Sequence, residues 1–131
     1  MSTLRRGLCL ILVVFLAGCA SGRRTGPRWE LLGRRDVEFR VDHDVIEVGR
    51  AEGRFHELRF VVRGGAIEMY ELRVTLGDGE AFRPAERLVL DRGEGRTIFL
   101  PGDRHVVRRV EFVYRSLRAA GRHATVTLYG R

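Results

Sequence analysis

The chain has 131 residues, 24 basic and 17 acidic side chains and a formal net charge of +7. That length holds one modest core and one domain at most. Its two cysteines, Cys9 and Cys19, both lie near the N-terminus, which excludes a disulfide framework, a thiol nucleophile and a cysteine metal site from the rest of the chain.

Arg5 and Arg6 form a basic n-region, Leu8 to Leu16 is an almost unbroken apolar run, and Ala17, Gly18 and Cys19 follow. This is the order of a secretory signal peptide, with charge, then a short apolar core, then small residues that fit a peptidase. The run is shorter than the roughly 20 apolar residues of a membrane span. Leu16-Ala17-Gly18-Cys19 resembles the lipobox of bacterial lipoproteins. The resemblance implies a cleaved lipoprotein signal peptide over residues 1–18 and lipidation at Cys19. Two or three acyl chains, each contributing about 0.8 kcal/mol per buried CH₂, would anchor the chain durably to a membrane. Ala20 and Ser21 follow the cysteine with no Asp directly after it, which resembles the outer-membrane sorting pattern. The expected location is the bacterial cell envelope, at the outer membrane facing the periplasm. The competing reading is an ordinary signal peptide cut near Ala17 or Ala20.

Residues 19–28 read as the lipid attachment site and a short tether, small and polar with Pro27. The domain is expected over 29–131, opening at Trp29. From there the hydrophobic period is two. Val37, Phe39 and Val41 alternate with charged neighbours, as do Ile46 and Val48. Leu58, Phe60 and Val62 follow, then Tyr70, Leu72, Val74 and Leu76, then Leu88 and Leu90, then Ile98 and Leu100. Val110, Phe112 and Tyr114 form the next run, and Ala124, Val126 and Leu128 the last. Such alternation predicts half-buried antiparallel strands. Turn signals separate them at Asp42-His43-Asp44, Gly49 to Gly53, Gly64-Gly65, Gly77 to Gly79, Arg92 to Gly95, Pro101 to Asp103 and Gly121. Residues 80–87, with Pro84, suit a loop or an edge, and Ser116 to Ala120 could form one helical turn. The expected fold is all-β, a single antiparallel β-sandwich or jelly-roll-like domain of about eight strands.

The mature domain resembles an uncharacterised family of small secreted bacterial β-sandwich proteins. The likeness rests on Trp29-x-x-Leu32-Gly33, Val37, Asp42-x-Asp44-x-Ile46-x-Val48 and Leu100-Pro101-Gly102. It rests also on Val107-x-x-Val110-x-Phe112-x-Tyr114 and on Ala124-x-Val126-x-Leu128-x-Gly130. It implies the fold and an exported location, and carries no reaction and no ligand.

Every basic residue is Arg, and the chain has no Lys, Asn or Gln. Arginine codons of a GC-rich genome explain this without function, whereas a bidentate grip on an anion would give it one. Alternating signs such as Glu57-Arg59, Glu71-Arg73 and Glu111-Arg115 suit a solvated sheet face. Asp103-Arg104-His105 followed by Arg108-Arg109 is the densest polar group, and Arg104, Arg108 and Arg109 are the candidate anion-binding residues. By strand alternation Arg108 falls on the Val110 side, where it would pair with Asp42, Asp44 or Asp103, and Arg109 on the other.

Asp42, His43 and Asp44 place two carboxylates and an imidazole at a turn, as a metal site or as backbone caps. Calcium would need six to eight oxygens, which favours the caps. His43, His56, His105 and His123 are scattered singly. There is no Gly-x-Ser-x-Gly elbow, and Ser116 is the one serine beyond the tether. Glu68, Glu71, Glu80, Glu86, Asp91, Glu94 and Asp103 could supply a carboxylate pair, though most fall at outward or turn positions. Trp29, the sole tryptophan, is expected to plug one end of the sandwich.

The resulting expectation is an envelope lipoprotein that is not an enzyme and uses no catalytic residue, cofactor or metal. It would touch the membrane through Cys19 and bind an envelope protein or an anionic envelope polymer, not nucleic acid. A glycan-binding module is the alternative, and a carboxylate-based hydrolase stands third. A cluster of exposed aromatics on one sheet face would favour glycans, and two carboxylates facing each other in a cleft an enzyme.

Overall fold

A computed structural model describes residues 28–37, 41–49, 53–117 and 123–131. The lipobox, Cys19, Phe39 and most of the stretch expected to turn at Ser116–Ala120 lie outside the described residues. The described chain forms strands β1 (Glu30–Val37), β2 (Asp42–Glu47), β3 (Glu57–Arg63), β4 (Ile67–Leu76), β5 (Ala81–Phe82), β6 (Leu88–Leu90), β7 (Gly95–Phe99), β8 (Val107–Ser116) and β9 (Ala124–Gly130). They make two antiparallel sheets packed face to face, as the period of two predicts. One sheet has the order β1-β9-β3-β7. The other has β2-β8-β4, with β5 and β6 sharing the far side of β4. Apart from β4 to β5 and β5 to β6, every connection passes from one sheet to the other.

Successive side chains on a strand point to opposite faces, so every second residue meets the core. Leu58, Phe60 and Val62 of β3 and Val126 and Leu128 of β9 are fully buried from one sheet. Val74 of β4 and Val110, Phe112 and Tyr114 of β8 are fully buried from the other. Across the interface the Phe60 and Phe112 rings meet edge to face, 6.3 Å apart at 73°. Far-UV circular dichroism of the segment 20–131 is expected to lack a helical signature. A chelator should leave its melting temperature unchanged. A chelator-induced drop would restore Asp42 and Asp44 as metal ligands.

Three local expectations are corrected. Asp42-His43-Asp44 is not a turn but the start of β2, paired with Tyr114, Val113 and Phe112 of β8. β2 is an edge strand, where carboxylates are tolerated because one side of the strand is open. Asp42 does cap locally, its Oδ1 accepting the His43 N–H at 2.8 Å. Asp44 accepts the Tyr114 hydroxyl at 2.8 Å.

The second correction is Tyr70, which does not share a face with Leu72. The β4–β8 register shifts between Met69 and Glu71, so Tyr70 is an extra bulged residue. Ile67 and Met69 point inward before it, and Leu72, Val74 and Leu76 after it. The third is Arg108. A second shift pairs Thr75 with Arg109 and Leu76 with Val107, leaving Arg108 as the extra residue and exposed. Its carbonyl accepts the Val48 and Gly49 N–H groups, while Val107 and Val110 on either side are buried. Residues 80–87, left between loop and edge by sequence, form the two-residue edge strand β5 followed by a loop through Pro84.

Candidate functional site

The end of the sandwich where the domain begins is tied together by its backbone. The Glu57 and Arg131 main chains exchange hydrogen bonds of 2.9 and 3.0 Å, and Leu100 N–H donates to His56. Glu57 pairs with Phe99, and Glu30 with Gly130, which sets Trp29 beside Arg131. Two rows of side chains therefore cross the outer face of the β1-β9-β3-β7 sheet. The first is Trp29, Arg131, Glu57 and Phe99, and the second Leu31, Tyr129, Arg59 and Thr97. Inward Leu58, Leu128 and Ile98 on the same strands confirm that these neighbours point out.

The chemistry of this face is mixed. Leu31 is 54% and Phe99 62% exposed, and Trp29 and Tyr129 are half-buried. Trp29 does not plug the sandwich end. Its ring lies on the outer face under two guanidinium groups, Arg131 at 4.6 Å and Arg59 at 5.9 Å. Contacts of a cation with an indole face contribute about 0.5–1 kcal/mol at exposed sites and fix the ring's orientation. Arg131 also donates to Glu57 Oε2 at 2.7 Å, so its charge is locally matched, whereas Arg59 has a strand partner in Tyr129 and no carboxylate within ion-pairing distance among the described residues.

Arg104 stands at the rim of this face. It lines a hollow of about 350 Å³ with His56, Glu57, Asp103 and Arg131. Its Nε donates to the Arg54 carbonyl at 3.1 Å, which holds the β7–β8 loop against the segment before β3. Arg108 and Arg109 line neither this hollow nor the neighbouring one that Arg104 shares with Arg54. Arg109 belongs to the outer face of the other sheet, its Nε 3.7 Å from Glu111 Oε2, with Arg73 Nε 3.8 Å from the same oxygen. The structure therefore separates Arg104 from Arg108 and Arg109, and no ion pair joins Arg108 to Asp42, Asp44 or Asp103 among the described residues.

Several of the carboxylates make local structural contacts. Glu68, only 8% exposed, is clasped by Arg115 and by Arg87 at 3.6 Å. Glu71 and Glu111 share a hollow of about 260 Å³ on the outer face of the β2-β8-β4 sheet, with Arg73, Arg83 and His43 around them. Asp78 Oδ1 accepts the Glu80 N–H, and Glu94 Oε2 the Asp91 N–H. Among the described residues no group of three or more His, Cys, Asp and Glu could hold a metal ion.

Sequence reasoning did not single out Leu31, Phe99, Tyr129 and Arg131, and read Arg59 only as part of a solvated sheet face. Leu31, Arg59, Phe99 and Tyr129 are outward residues of strands and Arg131 directly follows β9, so alternation marks them as solvent-facing and nothing more. No curated protein and no solved structure matches the chain. A family model does, over residues 8–130, which takes in the apolar run from Leu8 as well as the sandwich. The chain belongs to the family described as a domain of unknown function, DUF2541.

Proposed function

We propose that this chain is a cell-envelope lipoprotein, cleaved before Cys19, acylated there, and held at the outer membrane facing the periplasm. Its sandwich acts as a non-enzymatic binding module for an anionic envelope partner. The observation that carries the reading is Leu16-Ala17-Gly18-Cys19 behind the apolar run, with only residues 20–28 between that cysteine and the arginine-bearing face around Trp29. The carboxylates support a binding role. Glu68 is hydrogen-bonded to Arg115 and Glu57 to Arg131, so these two carboxylates serve structural pairs, while Glu111 has Arg73 and Arg109 within 4 Å of one oxygen.

A glycan-binding role draws on the aromatics Trp29, Phe99 and Tyr129 on one sheet face. Against it, Arg131 occupies a face of the indole on which a sugar would stack.

Cys19→Ser is the test of the anchor. The wild type should fractionate with membranes and show a mature mass carrying lipid, and the variant should remain unprocessed or become soluble. A variant that still follows the membranes, together with a wild-type mass free of lipid, would remove the lipoprotein reading. For the partner, Arg104→Ala and Arg59→Ala should weaken recovery of an anionic envelope component relative to Arg109→Ala, which lies on the other sheet.

A further inference from the structure

We infer that the outer face of the β1-β9-β3-β7 sheet around Trp29 docks onto the anionic phospholipid surface of the membrane that carries the anchor. The inference rests on the lipoprotein reading and names the partner of the same face.

The first support is reach. Residues 20–28 join Cys19 to Trp29, and a chain of that length spans at most about 35 Å when fully extended. As a relaxed coil it spans roughly 17 Å. Strand β9 alone is about 24 Å long. A lipid at Cys19 therefore keeps the Trp29 end of the sandwich nearer the bilayer than its far end in most arrangements of the tether. Trp29 is the point where the tether meets the sheet, so the rows beside it are the part of the domain that arrives first.

The second support is the composition of that face. Leu31 and Phe99 are large apolar side chains exposed by more than half at opposite edges of the sheet, with Trp29 just ahead of the strand of Leu31 and Tyr129 across from Leu31. Aromatic rings with one apolar and one polar end suit the headgroup level of a bilayer, and arginines beside them hold their heads in the polar layer while their stems cover apolar surface. Arg59 and Arg131 both stand over the indole in that manner.

Charge is the third support. Between Cys19 and Trp29 the sequence carries Arg23, Arg24 and Arg28 and no acidic residue. Arg28 is exposed beside the face and Arg59 on it, while Glu57 is bonded to Arg131. Each arginine near an anionic surface strengthens binding by about fivefold, and the gain is lost in high salt. Neutral lipid would leave these charges unused, so the partner is an anionic headgroup.

Trp29 is the sole tryptophan and therefore reports on its own face. The protein, extracted from membranes at its full mature length, would be reconstituted into vesicles of phosphatidylcholine alone or of equal parts phosphatidylcholine and phosphatidylglycerol. Both vesicle types would contain lipids brominated along the acyl chain. The expected result is quenching of Trp29 in the anionic vesicles and its reversal in high salt. Quenching should be weaker by about fivefold or more in neutral vesicles and in the double variant Leu31→Glu, Phe99→Glu. Both of those residues are exposed, and the variant's unchanged melt would show that its fold is kept.

A protein whose mass shows lipid and which floats with both vesicles, yet whose Trp29 is unquenched, would overturn the docking and leave the anchor standing. A protein without lipid would overturn the anchor. Flotation with anionic vesicles and quenching would then still support the face, and their absence would overturn it. A shift of Trp29 emission on concentrating the protein without vesicles, with no quenching in them, would assign the face to self-association and overturn the proposal.

Discussion

Phe112→Ala is expected to destabilise the domain by about 3–5 kcal/mol, the cost of lost burial and of the cavity left behind. Phe112 is fully buried in the middle of β8. Its ring lies between Phe60 of the opposite sheet and Tyr114 on its own strand, 5.7 Å away. Its cross-strand neighbours are Asp44 on β2 and Leu72 on β4, so the side chain touches both flanks of its sheet and the facing one. Packing of that density leaves little room to collapse into the space. A domain of this size has ~5–15 kcal/mol to lose, so the variant should melt far below the wild type or fail to accumulate. Arg109→Ala is the matched control, three residues away on the same strand. Its pair with Glu111 is partly exposed, Arg73 stands at a similar distance from the same oxygen, and exposed pairs contribute about 0–1 kcal/mol. Thermal and urea melts of the two variants would decide it. Arg109→Ala as the damaging change, with Phe112→Ala tolerated, would sink the register of β8. A one-residue slip turns every side chain to the other face and leaves no intermediate.

The fold was legible because most strands keep their phase from end to end. Leu58, Phe60 and Val62, and likewise Ala124, Val126 and Leu128, alternate without interruption, and all six are buried as the phase requires, with Thr127 buried as well on the other face. The phase was lost at Tyr70 and Arg108, where one strand of the β4–β8 pair takes an extra residue. A bulge inserts that residue without any letter that marks it, so alternation carried across it puts Arg108 inside, although it is exposed. Asp42-His43-Asp44 misled for a different reason. Its residue types are those of a turn, but an edge strand tolerates them equally, and only pairing with β8 distinguishes the two.

The grouping of residues around Trp29 was not legible. Arg59 and Phe99 lie on β3 and β7, and Trp29 and Arg131 flank β1 and β9, so the four come from segments spread over the whole domain. Neither their closeness nor their shared outward direction follows from any one of those strands. Both require the order β1-β9-β3-β7 and its registers together. The candidate anion-binding residues show the same logic in reverse. Arg104, Arg108 and Arg109 are close in sequence, but the strand begins at Val107, so Arg104 stays on the connecting loop and Arg109 leaves along the other sheet.

Gly64→Ala is expected to be the most damaging change that adds a single methyl group. Gly64 follows β3 at φ +89°, a left-handed conformation that costs a residue with a Cβ about 1–2 kcal/mol. An added Cβ would also run into the backbone carbonyl of His123, with Ala124 Cα at 3.3 Å behind it. That backbone cannot yield freely. Ala124 is paired with Val37 in β1, and the next residue, Thr125, with Arg63 of β3, so moving it disturbs two strand pairs. Overpacking of this kind costs about 1–3 kcal/mol more, for a total of about 2–5 kcal/mol. Gly93→Ala separates the two causes. Gly93 has the same sign of φ, +85°, but an added Cβ there meets nothing within 4 Å. It should show only the left-handed cost, offset by about 0.4–1 kcal/mol from the reduced freedom of the unfolded chain. Urea denaturation of both variants measures the difference. Equal midpoints would mean that the turn after β3 does not abut the start of β9. The closing register of the β1-β9-β3-β7 sheet, and with it the row that sets Trp29 beside Arg131, would then have to be redrawn.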